Sequence, residues 1–283
     1  MKLVIDKYST DSISQPEYLA RGLQEVGDHQ VLLNDFSQTM FEMLDSFNPD
    51  AYITHCETLS RDTVCYIQDS EKNIPLFICN DGAKYGSSKN TFEALKNMNI
   101  NHRVFYNKTV NKEVLFMPDN AIPLLPAVEL GLLDESKKWS KKFDTLIVTE
   151  GQESLDKLDI KINEDHYHIF PTEGLGDLKV PAGFHYANLI QNYNQVLFTN
   201  LDDGLDEFFF QSIIYCDKVY FYSENKAEKI DDMIKKIFKI EESLDYNNKN
   251  KIQDFSKLKK NTKDKHTNIN RVKTILSQLP QKI

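Results

Sequence analysis

Residues 188–223 read NLIQNYNQVLFTNLDDGLDEFFFQSIIYCDKVYFYS. Inside this stretch a β-type run, Gln195-Val-Leu-Phe198, leads through a polar segment holding Asp203-Gly204 into an apolar helical stretch, Leu205 to Tyr215. A second β-type run, Lys218 to Tyr222, follows, and a helix over Tyr186 to Tyr193 precedes the first. Strands this uniformly apolar are buried on both faces, and a helix between them is the usual crossover that parallel neighbours require.

The same alternation extends in both directions. Towards the N-terminus lie Leu3-Val-Ile5, a helix over Pro16 to Val26, Val31-Leu-Leu33, a helix over Met40 to Phe47, Ala51 to Thr54, a helix over Arg61 to Gln68 and Pro75 to Cys79. A Ser/Lys/Asn-rich loop, Lys84 to Asn90, a helix over Thr91 to Met98 and strands Arg103 to Tyr106 and Val114 to Met117 complete that half. Pro118, Pro123 and Pro126 then punctuate a segment read as a domain crossing. A second alternation starts at Thr145 to Val148 and runs through a helix near Ser154 to Leu158, strands at Tyr167 to Phe170 and Leu178 to Val180, and the quoted stretch, to a helix over Lys226 to Lys239. The fold class expected is α/β, with two Rossmann-like domains of mainly parallel sheets and a helical tail. Their boundaries are 1–120, 121–245 and 246–283.

With 283 residues, 40% hydrophobic and 27% charged, the chain has material for two packed cores. The apolar run at Leu3 to Ile5 is too short for a signal core or a membrane span, so the expected location is the cytoplasm, the host's if the protein is viral. Cys56, Cys65, Cys79 and Cys216 lack metal-ligand spacing and read as reduced, buried thiols. The net charge is −9, but residues 246–283 carry ten Lys/Arg against Asp254 and Asp264, a local +8 that leaves −17 for the rest. Apolar residues recur at helical spacing in this tail, which predicts a helix docked on acidic protein surface. Nucleic acid is the alternative partner.

The quoted stretch resembles the donor-binding segment of GT-B glycosyltransferases, in which a strand, a loop of the "DGFGLP" kind, a helix and a further strand follow in order. Val114-LFMPDNAIPL124 is similar to that family's crossing between domains, and Ile5-DKYSTDSISQPEYLARGLQEVG27 to its first strand, polar loop and helix. The opening and the 203–223 stretch are also similar to small glycosyltransferase-like proteins of bacteriophages and, more distantly, to spore-maturation-type GT-B enzymes. The resemblance implies a nucleotide sugar as substrate, no separate cofactor and no metal. It places the donor at Asp203, Gly204 and Gln211. In the family a helix carboxylate holds the ribose hydroxyls; here Gln211 stands at that position, and Asp206 or Glu207 one turn earlier is the charged substitute. The family's basic pair for the diphosphate has no counterpart near Glu150-Gly151-Gln152, where Lys157 is the nearby cation.

The remaining candidates come from position in the fold. His55 follows a strand at the end where open α/β sheets keep their ligands, and with Glu57 beside it could serve as a base towards an acceptor hydroxyl; its bland reading is a loop histidine. Asp81 holds the equivalent place after the next strand, where an Asp-Gly turn is the bland reading, and Asp11 is a third of this kind. His185, just ahead of a helix, is within reach of a phosphate, whereas His168 in a strand is read as packed and Thr172 to Gly176 as a tight turn. Three functional readings stay open: a glycosyltransferase acting on an acceptor the sequence does not identify, a non-catalytic protein of the same fold, and a transferase that modifies nucleic acid.

Overall fold

The computed structural model describes residues 1–7, 15–36, 39–56, 58–80, 85–107, 109, 116–133, 140–149, 156, 158, 167–171, 184–201, 204–241 and 255–279. Two compact units divide the chain: Met1–Leu125 with Asn268–Ile283, and Pro126–Thr267.

The first unit holds a six-stranded sheet in the order β2-β1-β3-β4-β5-β6, every pairing parallel. Its strands are β1 (Lys2–Asp6), β2 (Gln30–Asn34), β3 (Ala51–His55), β4 (Leu76–Asn80), β5 (His102–Tyr106) and β6 (Ile122–Pro123). Helices α1 (Gln15–Val26), α2 (Met40–Phe47), α3 (Arg61–Asp69) and α4 (Tyr85–Asn97) make the crossovers. Because side chains alternate along a strand, neighbouring residues serve opposite faces. Leu3, Ile5, Ile53, Phe77 and Phe105 bury against α1 and the C-terminal helix, while Val4, Tyr52, Ile78 and Val104 bury against α2, α3 and α4.

Unit 2 repeats the plan with a four-stranded parallel sheet, β10-β9-β7-β8. It comprises β7 (Phe143–Thr149), β8 (Tyr167–Pro171), α5 (Phe184–Ile190), β9 (Tyr193–Phe198), α6 (Glu207–Tyr215), β10 (Val219–Phe221), α7 (Ala227–Phe238) and α8 (Phe255–Lys265). Leu146, Val148, Val196, Phe198, Val219 and Phe221 form the main core with Phe209, Phe210, Ile213, Ile230, Ile234, Phe238 and Leu258 from its helices. Ile147 and Leu197 face the other way, packed with Tyr220 and Tyr222.

The tail is divided between the units. Helix α8 packs beside α6 and α7, and α9 (Asn268–Leu276) lies along α1, where a Cβ on Gly22 would come within 3.1 Å of Val272 Cγ2. Glycine is what permits that approach. The two chain passages at the rim of unit 2 are tied together: Val128 N–H donates to the His266 carbonyl at 2.9 Å, and Val128 bridges Thr267. No helix among the described residues is long and apolar enough to cross a membrane.

Several local expectations are corrected. Phe116 and Met117 are irregular, and the strand that closes this edge is Ile122–Pro123, paired with Phe105 and Tyr106. Proline is tolerated there because an edge strand leaves one side of its ladder unpaired. Tyr193 opens β9 instead of ending the helix before it, with its ring 5.2 Å from that of its register partner Phe143. His55 is the last residue of β3, in register with Cys79, not the first of a loop. The expected strand Leu178 to Val180 and most of the helix near Ser154 lie outside the described residues.

Candidate functional site

Each sheet changes winding direction once, between β1 and β3 in the first unit and between β7 and β9 in the second. In open parallel sheets the loops on either side of such a point diverge at the carboxyl edge and leave a crevice for ligands.

In unit 2 this edge receives the segment after β9. Thr199 N–H donates to the Val148 carbonyl at 2.9 Å, which ties the exit of β9 to β7. Leu201 and Leu205 are buried and anchor the loop, and between them Gly204 has φ 139°, a backbone region that residues with a Cβ seldom enter. Asp206 caps α6, its carboxylate accepting the Phe209 N–H at 2.8 Å, so the helix begins at Glu207 and not at Leu205 as the periodicity suggested. The Asn200 side chain also bonds this carboxyl group. Burial pushes Asp206 up to about 7 against these hydrogen bonds, with the neighbouring Glu207 charge adding to the rise.

Gln211 is four residues beyond Glu207 and so on the same side of α6; Glu207 is half-buried and Gln211 1% exposed. Among the described residues the Gln211 Oε1 and Asn200 Oδ1 atoms are buried without a hydrogen-bond partner. Behind the helix the Tyr186 hydroxyl and Ser212 Oγ lie 2.8 Å apart, which braces α6 against α5. His185 is exposed on α5. Asp203 and Asp81 lie outside the described residues, as do Asp11, Lys157 and Thr172 to Gly176.

Unit 1 carries a polar cluster that the sequence reading missed. Asp6, the last residue of β1, is fully buried, and its carboxylate accepts from Asn34 Nδ2 at 2.7 Å, from Thr54 Oγ1 at 2.6 Å and from the Tyr52 hydroxyl. Burial raises the Asp6 carboxyl and the three hydrogen bonds oppose the rise; the Tyr52 hydroxyl is raised by burial and then by the Asp6 charge. On the α1 side of the sheet a small crevice of about 10 Å³, room for about one water molecule, is lined by Asp6, Thr54, Cys79, Pro16 and Arg271 among others. It sits at the β1/β3 reversal. His55 is on the neighbouring strand end, partly exposed, its carbonyl accepting from the N–H groups of Thr58 and Leu59. One signal for the cluster was available: Asp6 and Asn34 directly follow the apolar runs Leu3 to Ile5 and Val31 to Leu33, and they are register partners.

The chain is thus an α/β protein of two Rossmann-like units with parallel sheets, each with a candidate site at its winding reversal. Among solved structures it is similar to SsfS6, a glycosyltransferase of Streptomyces sp. SF2575, at 10% identity over 98% of this chain and 99% of that one, with a TM-score of 0.49. It is also similar to the transcription regulator CcpA of Lactococcus lactis, at 10% identity over 78% of this chain and 77% of that one, with a TM-score of 0.24. No family model and no curated protein matches the chain.

Proposed function

We propose that the protein is a glycosyltransferase that binds a nucleotide sugar at the β9–α6 junction and an acceptor at the carboxyl edge of the first sheet. The observation that carries this reading is a pair of buried acceptor oxygens at the junction. Among the described residues Asn200 Oδ1 and Gln211 Oε1 are buried without partners, a state that costs free energy unless a ligand supplies donors. The hydroxyl groups of a ribose or a sugar are such donors. Gly204 admits the close approach of a bulky ligand to the backbone, and the positive end of the α6 dipole points to the same edge.

The geometry also redistributes the roles. Asp206 already accepts the Phe209 N–H, so an ionised carboxylate stands at the start of α6 above neutral pH and disfavours a diphosphate directly on that helix end. The hydroxyl-bearing part of the donor therefore fits beside Asp206, Glu207 and Gln211, and the diphosphate lies further towards β7. On the acceptor side His55 and Asp81 remain the proposed bases.

Titration of the full chain with UDP-, GDP-, ADP- and CMP-sugars tests the reading. At least one should raise the melting temperature by mass action. If none binds, the fold serves a non-catalytic role.

A further inference from the structure

Among the described residues four strands stand at sheet edges, and three of them carry features that discourage a further strand. β6 holds Pro123, β8 ends at Pro171, and β10 has 3 residues. β2 has none of these. It runs for 5 residues, Gln30-Val-Leu-Leu-Asn34, without proline or charge. Its Val31, Leu32 and Leu33 are half-buried, whereas their register partners Leu3, Val4 and Ile5 on β1 are buried.

The register fixes which main-chain groups of β2 can pair further. Gln30 N–H donates to the Met1 carbonyl at 2.8 Å, and the Asn34 carbonyl accepts the Lys7 N–H at 2.9 Å, so the even-numbered residues of β2 turn their main chain to β1. Val31 and Leu33 alternate with them and turn theirs to the open side, where no described strand lies. N–H and C=O groups so spaced are a template for another strand. The template is bounded: Asn34 Oδ1 accepts the Phe36 N–H at 3.0 Å, and Phe36, at φ 62°, turns the chain off the strand line.

We propose that this edge pairs with β2 of a second copy of the chain, antiparallel, about a two-fold axis at Leu32. A two-fold contact must be self-complementary, and this segment is. Val31 falls opposite Leu33 of the second copy, Leu32 opposite its own counterpart and Gln30 opposite Asn34. The Val31 and Leu33 pairs then exchange both N–H···O bonds, and the Leu32 pair is the non-hydrogen-bonded one. Apolar pairs form on both faces of the joined sheet, because Val31 and Leu33 belong to the α1 face and Leu32 to the α2 face. No like charges stand directly opposite one another, since exposed Asp35 meets His29. Centring the pairing on Leu33 sets Val31 against Asp35, and centring it on Val31 sets Leu33 against His29, so either slip exchanges an apolar pair for a polar one. The interface lies within the first unit and does not rest on the transferase reading.

Sedimentation equilibrium of the full chain should show a reversible dimer with a Kd on the order of 10 µM, as suits so short an edge. Val31→Pro deletes an outward N–H and leaves the bonds of Gln30, Leu32 and Asn34 to β1 in place, so it should fold and weaken the dimer about tenfold or more. Leu32→Cys should, on mild oxidation, give a disulfide joining position 32 of the two copies, because the Cα atoms of a non-hydrogen-bonded pair are about 4.5 Å apart. Peptide mass spectrometry separates that bond from one through Cys65, the half-buried native thiol. A native chain that stays monomeric to about 1 mM overturns the proposal, as does a dimer that folded Val31→Pro leaves unchanged. Circular dichroism reports whether that variant folds; if it does not, the crosslink decides alone. A dimer that forms no bond between the two positions 32 has its axis elsewhere and overturns the proposal as well.

Discussion

Asp206→Asn should make the second unit more stable, and by an amount that depends on pH. The carboxyl sits at about 7 in the folded protein against an ordinary 3.8, a rise caused first by burial. The folded state therefore keeps a proton that the unfolded state releases between about pH 4 and pH 7. Stability falls as pH rises through this window, and the full cost is present above it. Three pH units correspond to roughly 4 kcal/mol. Asp206 is only partly withdrawn from solvent as a residue, which screens the charge, so about half of that, ~2 kcal/mol, is the expected magnitude. Asparagine keeps the cap, since its amide oxygen accepts the Phe209 N–H as the carboxylate does, and the two are equivalent at N-cap positions. Urea denaturation followed by circular dichroism should show the variant ahead by about 2 kcal/mol at pH 8 and level with the native protein near pH 4. An equal gain at both pH values, or a loss at pH 8, would refute the reasoning, because either means that charge burial at Asp206 is not what the substitution relieves. The same titration bears on function: below pH 7 the neutral carboxyl donates as well as accepts, so nucleotide-sugar affinity should change across this range.

Gly204→Val places a branched side chain at φ 139°, which should cost about 1–3 kcal/mol in the denaturation midpoint of unit 2 and abolish nucleotide-sugar binding. Gln211→Leu replaces a buried amide with an unpartnered oxygen by an apolar group of similar size; denaturation should show stability unchanged or higher, while calorimetry should show donor affinity about fivefold or more weaker. If both properties fell together, Gln211 would be a structural residue. Asp6→Ala strips the acceptor from Asn34, Tyr52 and Thr54 at once and should destabilise the first unit by roughly 3 kcal/mol or more, read as a lower urea midpoint.

What was legible in the sequence was whatever is written in short-range periodicity. Leu3-Val-Ile5, Ala51 to Thr54 and Gln195 to Phe198 are apolar runs bounded by polar residues, and each became a parallel strand because burial on both faces demands that composition. The boundaries that moved did so where one specific contact outweighed the pattern. Asp206 took a backbone N–H and set the start of α6, and the contact of Tyr193 with Phe143 drew that residue into the sheet. The recrossing of the tail was less visible, since the same Lys-rich amphipathic pattern runs through α8 and α9, yet one packs in unit 2 and the other against Gly22 of α1.

The polar cluster in unit 1 was hidden for a different reason. Asp6, Asn34, Tyr52 and Thr54 come from three strands, and only the register brings them together: Asp6 opposite Asn34, and β1 alongside β3. A single sequence has no period that links positions 6, 34 and 52, whereas the β9–α6 junction is continuous in the chain and could be read as a motif. The resemblance therefore drew attention to the second unit, where the site is local. The buried carboxylate of the first unit, which holds Asn34 and through it the backbone of Phe36, required the sheet to be assembled first. Sites made by register are the ones sequence motifs pass over, and in this fold they fall where β1 and β3 part.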